Sequence, residues 1–337
     1  MKLLCEQGTH SGNMTANVGK VNNRGVELML KGVLLQTRNL YWDVTLSFAK
    51  NHNEILELQG KKEDMRAERW FIGQPIDVAF DLRQTGICTR EKALEKVTIG
   101  GVTKTNAEWY GYFEGCMTYE DFNNDGKIND DDRQILGHAM PDWTGSLSTS
   151  FSWKNWDLSV TMNTRQGSLV YSPFMEEFTN YSDRGRTKLN MDFYIPEGAP
   201  VFNYSWDGSD PQSLVSDPKV RAEHTTVGSY PYPFDGAAYN YGGGNGWYTG
   251  KNKEFQSNCY VDGSYVKIKT ITLGYTVPQS FAEKIKIGGL RIYVNVLNPF
   301  TFTSYQGFDP EWADAGISDG KGGPSSITCQ LGINLKF

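Results

Sequence analysis

The sequence predicts an all-β fold: the strands of an antiparallel, up-and-down β-barrel that crosses a membrane, with long loops at one end. Three observations carry this prediction. Segments of about 10 to 15 residues alternate apolar and polar side chains, aromatic residues and glycine are abundant, and the connections between those segments are short and long by turns. Alternation with period 2 gives a strand one apolar and one polar face. The 337 residues include 17 Phe, 9 Trp, 18 Tyr and 36 Gly, a composition suited to β structure with many turns.

The first two strands are expected at about 24–35 and 40–52, where Val26, Leu28 and Leu30 alternate with Glu27, Met29 and Lys31, and Leu40, Trp42, Val44, Leu46 and Phe48 alternate with Tyr41, Asp43, Thr45, Ser47 and Ala49. The next two, about 143–153 and 156–168, set Leu147, Thr149, Phe151 and Trp153 against four serines, then Trp156, Leu158, Val160 and Met162 against Asp157, Ser159, Thr161 and Asn163. In the fifth, about 263–277, Ile271, Leu273 and Tyr275 share a parity that Val266 and Ile268 break. This predicts a β-bulge near Lys269. The sixth, about 290–299, carries Leu290, Ile292, Val294 and Val296 on one face, and the seventh, about 325–337, alternates without error from Ser326 to Phe337.

The segments between these strands are 4, 90, 2, 94, 12 and 25 residues long. In an up-and-down barrel alternate connections emerge on opposite sides, and outer-membrane barrels keep periplasmic turns short while extracellular loops grow. With Phe337 at the periplasmic end, all the long loops, about 53–142, 169–262 and 300–324, lie outside the cell. A soluble antiparallel sandwich also alternates. Strands long enough for a tilted membrane crossing, a Ser/Thr/Asn/Asp face suited to a wet lumen, and the segregation of loop lengths favour the barrel.

No apolar run approaches the 18 residues of a membrane helix. The mean hydropathy of −0.50 says nothing about a barrel, whose strands never make a continuous apolar run. Net charge is −6, so no general basic field attracts nucleic acid. Met1–Cys5 is too short for a signal peptide, and an export signal is expected upstream. Seven strands do not close a single-chain bacterial barrel, which has an even number from eight upward, so the chain reads as part of something larger. The five cysteines, Cys5, Cys88, Cys116, Cys259 and Cys329, form no C-x-x-C pair and are expected to act as apolar fillers rather than a disulfide framework or zinc site.

Several stretches together resemble the SusC/RagA family of TonB-dependent outer-membrane transporters. They are Asn22-Asn23-Arg24-Gly25-Val26-Glu27, Asp121-Phe122-Asn123-Asn124-Asp125-Gly126-Lys127-Ile128, Leu136-Gly137 with Pro141, the run from Tyr265 to Tyr275, Asn298-Pro299, Gly307-Phe308-Asp309-Pro310-Glu311, and the terminal Gly332 to Phe337. In this order they cover nearly the whole chain as the family's C-terminal barrel portion. The resemblance implies a 22-stranded barrel with an N-terminal plug, energised by TonB, that imports oligosaccharides or peptides, with a SusD-like lipoprotein over its mouth. The family's signal peptide, plug and TonB box have no counterpart in these residues, so energy coupling is expected to reside elsewhere. Gln330, Gly332, Leu335 and Phe337 also resemble the C-terminal signal read by the barrel-assembly machinery.

Two further features suggest binding. Asp121, Asn123, Asp125, Gly126 and Asp132 match positions 1, 3, 5, 6 and 12 of the EF-hand loop, with Asp in place of the last Glu. Side chains of Asp121, Asn123, Asp125 and Asp132, the Lys127 carbonyl and Asn129 would give calcium the oxygen ligands it takes, in a structural role, with Ile128 anchoring the loop. The same residues also suit a metal-free turn. In the excursion 169–262, Tyr230, Tyr232, Phe234, Tyr239, Tyr241, Trp247 and Tyr248 stand among Pro and Gly, as rings that stack on sugars, contact a partner, or pack the loop. No catalytic motif is present, and acidic neighbours such as Glu176-Glu177 and Asp309 with Glu311 are expected to be solvated rather than a glycosidase pair. The expectation is an outer-membrane importer subunit without enzymatic activity, set against a soluble or secreted β-rich, calcium-stabilised glycan-binding module. The two differ in whether the apolar faces of Trp42, Phe48, Trp153, Trp156 and Phe337 meet lipid or a protein core.

Overall fold

The computed structural model describes residues 19–172, 194, 259–305, 307, 309–311 and 325–337, together with the backbone of 2–4 and 13–15. Seven strands form one sheet: β1 (Gly19–Gln36), β2 (Leu40–Leu58), β3 (Trp143–Trp153), β4 (Trp156–Gln166), β5 (Tyr265–Thr276), β6 (Gly289–Thr303) and β7 (Thr328–Lys336). Their order in the sheet is their order in the chain, and every neighbouring pair is antiparallel. This is the up-and-down topology the alternation predicts. The sheet is not closed, so it is part of a barrel wall, with β1 and β7 as its edges.

The ladder extends β1, β2 and β6 past the ends that alternation predicts. Backbone pairing does not require alternating side chains, and β2 stays paired with β1 through the polar stretch Lys50 to Glu54. At one end the connections are short, at 37–39, 154–155 and 277–288, the last carrying the one-turn helix Gln279–Lys284. Lys154 takes a left-handed φ of 53° in the two-residue turn, as such hairpins require. The long excursions all leave from the other end.

Register turns the pattern of each strand into continuous rows on a common face. One outward row runs Leu35, Trp42, Phe151, Leu158, Leu273, Val294, Leu331 across all seven strands. A second, nearer the long loops, runs Leu30, Leu46, Leu147, Met162, Ile268, Phe300. Among the described residues no second sheet lies over these side chains, and Trp42, Leu46, Phe151, Leu273 and Leu331 are exposed. Aromatic rings gather at both ends of the apolar surface. Phe48 meets Trp143 near the long loops, and Trp156 meets Tyr275 at 4.7 Å near the turns. The eleven residues of β3 run between those ends. At roughly 3.4 Å each and a tilt near 40°, they rise about 26 Å, the height of the apolar band of an outer-membrane barrel.

A polar group facing hydrocarbon has no water to bond, so it must be satisfied within the wall. On the outward face the Trp42 indole N–H donates to the Thr149 hydroxyl at 2.8 Å, and that hydroxyl donates to the Asp43 carbonyl at 2.9 Å. The opposite face is polar. There Thr272 donates to Asn295 at 3.0 Å, and Asn295 donates to Gln330 at 3.1 Å.

The predicted bulge is present. Thr161 pairs with Thr270 and Met162 with Ile268, leaving Lys269 as the extra residue. The extra residue restores parity, so Val266 and Ile268 join the outward rows and Lys267 faces inward opposite Asn163.

Candidate functional site

The excursion at 59–142 is a folded cap with its own core. Strand Val78–Leu82 pairs with Arg133–His138, and Gln84–Ile87 pairs with Met117–Tyr119. Two single-turn helices, Arg90–Leu94 and Asn106–Tyr110, start at Thr89 and Thr105, whose hydroxyls each accept a first-turn N–H; Glu108 completes a capping box with Thr105. Leu82, Cys88, Ala93, Tyr112, Cys116, Met117, Tyr119 and Ile128 bury together beneath them.

Ile128 anchors the EF-hand-like loop to this core, and the loop coils through bonds from its own backbone. Asp121 Oδ1 accepts from Asp125 N–H at 3.1 Å and Oδ2 from Gly126 N–H at 2.8 Å. Asn123 accepts from Asp125 N–H at 2.9 Å, and Asp125 from Lys127 N–H at 2.8 Å. Asp132 is fully buried and closes the loop, accepting from Phe122 N–H at 2.9 Å and Asn129 N–H at 2.8 Å, while Asn129 accepts from Asp131 N–H. Gly126 has φ of 82° beneath the Trp109 indole, where a Cβ would lie 2.5 Å from the ring. Burial raises the Asp132 carboxyl above its ordinary value against the pull of these amides, and burial followed by the bond to Asp121 raises the Tyr110 phenol. The donor set is all oxygen, which is the chemistry calcium takes. The carboxylates, however, are engaged by amides, and among the described residues no three His, Cys, Asp or Glu side chains gather as a metal site.

The other expected sites divide. Tyr230, Tyr232, Phe234, Tyr239, Tyr241, Trp247 and Tyr248 lie outside the described residues, as does Glu176-Glu177. In the terminal strand, three of the four signal residues have partners in the wall, Leu335 lying opposite Leu290. Gln330 accepts from Asn295, and Gly332 lies opposite Tyr293, whose ring covers it so closely that a Cβ would overlap it. Leu335 is exposed, and Phe337 is 98% exposed beyond the end of the strand.

Asp309 and Glu311 are not solvated, contrary to the expectation for acidic neighbours on a loop. Asp309 is buried and accepts from Lys267 Nζ at 2.5 Å; Glu311 accepts from Lys267 at 2.9 Å and from Lys269 at 2.8 Å. Lys267 itself is fully buried. The bulge brings both lysines to the inner side, where the segment 309–311 folds back to meet them. Burial alone would raise both carboxyls, yet the lysine contacts hold Asp309 and Glu311 below their ordinary values. The readable signal was the broken parity at Lys267 and Lys269 next to a loop with two acids. Deeper in the wall Arg291 spans to Asp157 in a two-pronged pair at 3.0 and 2.5 Å, over Gly274, where any Cβ would collide with it.

No family model matches the chain. In sequence it is 24% identical over 346 residues to TonB-dependent receptor P3 of Formosa agariphila, covering 95% of this chain and 29% of that protein. It is likewise 24% identical over 345 residues to TonB-dependent receptor SusC of Bacteroides thetaiotaomicron, covering 97% of this chain and 27% of that protein. In fold it superposes on the RagAB peptide importer in its open-open state with a TM-score of 0.62 at 20% identity, covering all of this chain and 31% of that one. The RagAB peptide transporter gives a TM-score of 0.61 at 21% identity, with 98% and 30% covered. The chain thus spans less than a third of the length of the relatives it matches. In sequence it is similar to part of TonB-dependent receptors, and in fold to part of the RagAB structures.

Proposed function

We propose that this stretch of a SusC/RagA-type receptor is part of the wall and outer cap of an outer-membrane importer. Its cargo is an oligosaccharide or peptide, a SusD-like lipoprotein covers the long-loop end, and TonB energises a plug that is not among these residues. One observation carries the reading. The outward side of the sheet is apolar across all seven strands, is edged by aromatic rings at both ends and has none of the described residues packed over it, while the inner side is a hydrogen-bonded polar surface. A soluble glycan-binding module would need to seal Trp42, Trp153 and Trp156 in a core, and they are exposed.

The loop 121–132 is proposed to take calcium in a bracing role, drawing Asp121, Asn123, Asp125, Asp132, the Lys127 carbonyl and Asn129 towards one ion beside the cap's core. In the excursion 169–262, Tyr230, Tyr232, Phe234, Tyr239, Tyr241, Trp247 and Tyr248 are proposed to contact cargo or lipoprotein through their ring faces.

The test uses the full-length receptor in its own membrane. Deleting its gene should abolish growth on one class of oligosaccharide or peptide, and affinity purification in detergent should bring down a surface lipoprotein. A full-length protein that stays monodisperse without detergent and is recovered in the soluble fraction would overturn the importer reading.

A further inference from the structure

Sequence spacing gave no reason to link any of the cysteines, yet the fold of the cap places two of them face to face. The ladder between Gln84–Ile87 and Met117–Tyr119 ends with Ile87 opposite Met117, so the next residues along, Cys88 and Cys116, oppose each other. The hydrogen bonds there close in a glycine β-bulge, with Cys88 N–H donating to the Cys116 carbonyl and Gly115 N–H, at a φ of 88°, donating to the Cys88 carbonyl, both at 2.8 Å, so that Gly115 and Cys116 together face Cys88. Both side chains are fully buried in the same core, where the Cys88 thiol donates to the Thr89 carbonyl at 3.4 Å and Cys116 Sγ accepts from the Phe113 N–H at 3.3 Å. Opposed residues of a regular antiparallel pair have Cα atoms about 4.5 to 5.5 Å apart, and a bulge adds its one extra residue at Gly115 while leaving Cys116 bonded across to Cys88, near the range of about 4.4 to 6.8 Å that a disulfide spans. Cys259 is buried elsewhere, beside the pair Leu169–Tyr171 and Tyr260–Asp262, and Cys329 is exposed on β7.

We propose that Cys88 and Cys116 form a disulfide in the exported protein, stapling the two halves of the cap across its own core. The inference rests on the importer reading in one respect: it takes the cap to mature in an oxidising compartment. The oxidant is the disulfide of a thiol oxidoreductase. Two S–H bonds and the oxidant's S–S bond break, one S–S bond forms between Cys88 and Cys116, and the oxidant leaves as a dithiol carrying both electrons and both protons. Since both sulfurs end up sealed from solvent, the exchange takes place before the cap closes. The link then encloses the hairpin Lys96–Ile99 and Val102–Thr105 and both short helices.

The experiment takes full-length receptor from outer membranes prepared without reductant, blocks thiols with N-ethylmaleimide in denaturant, and maps peptides by mass spectrometry. The expected result is a linked pair of peptides containing Cys88 and Cys116 that disappears when reductant precedes blocking, with Cys329 blocked throughout. Recovery of Cys88 and Cys116 as blocked thiols from membrane-derived protein overturns the proposal. A separate arm keeps this distinct from a failure of the importer reading. Purified receptor denatured, reduced and refolded in a glutathione redox buffer should regain the same link wherever the cell keeps it, and no link there shows that the geometry does not support one. The variant Cys88→Ala/Cys116→Ala should match reduced wild type, with proteolysis inside residues 88–116 on the order of a hundredfold faster than in the oxidised protein.

Discussion

Replacing Lys267 with Met isolates the interaction that docks the segment 309–311 against the wall. Met keeps most of the volume and removes the charge, so the Asp309 carboxylate stays buried without its cation, while the Glu311 N–H still donates to it at 3.0 Å. The side chains of Lys267 and Asp309 are 0% and 1% exposed, so solvent screening offers no relief. Breaking a buried pair of this kind costs about 3 to 5 kcal/mol, which lowers the ratio of docked to undocked segment by roughly two to four orders of magnitude. Glu311 keeps Lys269 at 2.8 Å, but that pair is partly exposed and contributes about 1 kcal/mol or less. Hydrogen exchange of the amides at 309–311 in full-length receptor, in detergent or vesicles, reads the ratio directly. The double variant Lys267→Met/Asp309→Leu should recover most of the protection, because an apolar pair of similar volume is often as stable as a buried ion pair. Exchange in Lys267→Met within about threefold of wild type would show that the cation does not hold the segment, and the reasoning from burial would fail.

The same cluster has a direction in pH. Asp309 and Glu311 are held below their ordinary values, so their contribution is complete above about pH 4 to 5 and lost as pH falls through the lowered values; protection at 309–311, relative to the exchange rate of an unstructured chain at the same pH, should fall only in acid. Val160→Arg points into the apolar band near the middle of β4 and should cost about 2 to 4 kcal/mol of folding into vesicles, whereas Thr161→Arg, one residue on and facing inward, should cost far less; equal losses in heat-modifiable gel mobility would contradict the assignment of faces. Gly332→Ala forces a methyl group into the Tyr293 ring and should reduce assembled receptor through overpacking of about 1 to 3 kcal/mol, and Tyr293→Ala in the same chain should restore part of it. Chelator should increase protease cutting around 115–140, and cutting that does not change, together with no calcium in mass spectrometry, would leave the loop 121–132 as a turn held by its own amides.

The wall could be read from the sequence because each strand's side chains report their own environment: Leu158 and Val160 are apolar and Ser159 and Thr161 polar because lipid and water lie on opposite sides of β4. Even the bulge at Lys269 was visible, since one extra residue reverses the parity of Val266 and Ile268. The cap was not visible. Its strands of three to six residues are too short to show a period, and its core joins Leu82 to Ile128 through contacts that no local pattern records. The ion cluster was hidden for a related reason. Lys267 and Asp309 look like ordinary polar residues until the loop after β6 folds back on β5, and the opposition of Cys88 and Cys116 depends in the same way on how distant segments pair.

The cap leaves the wall at the end of β2 and rejoins it at the start of β3, and these two strands are neighbours in the sheet. Thr144 pairs with Ala49, but β2 runs nine residues further, paired with β1 as far as Leu58, so the cap's entry stands roughly 25 to 30 Å beyond its exit along the strand. A knob with its own interior is thus held from one side by a two-stranded ribbon that projects past the neighbouring strands, and the length of that ribbon sets how far the knob stands from the rest of the sheet.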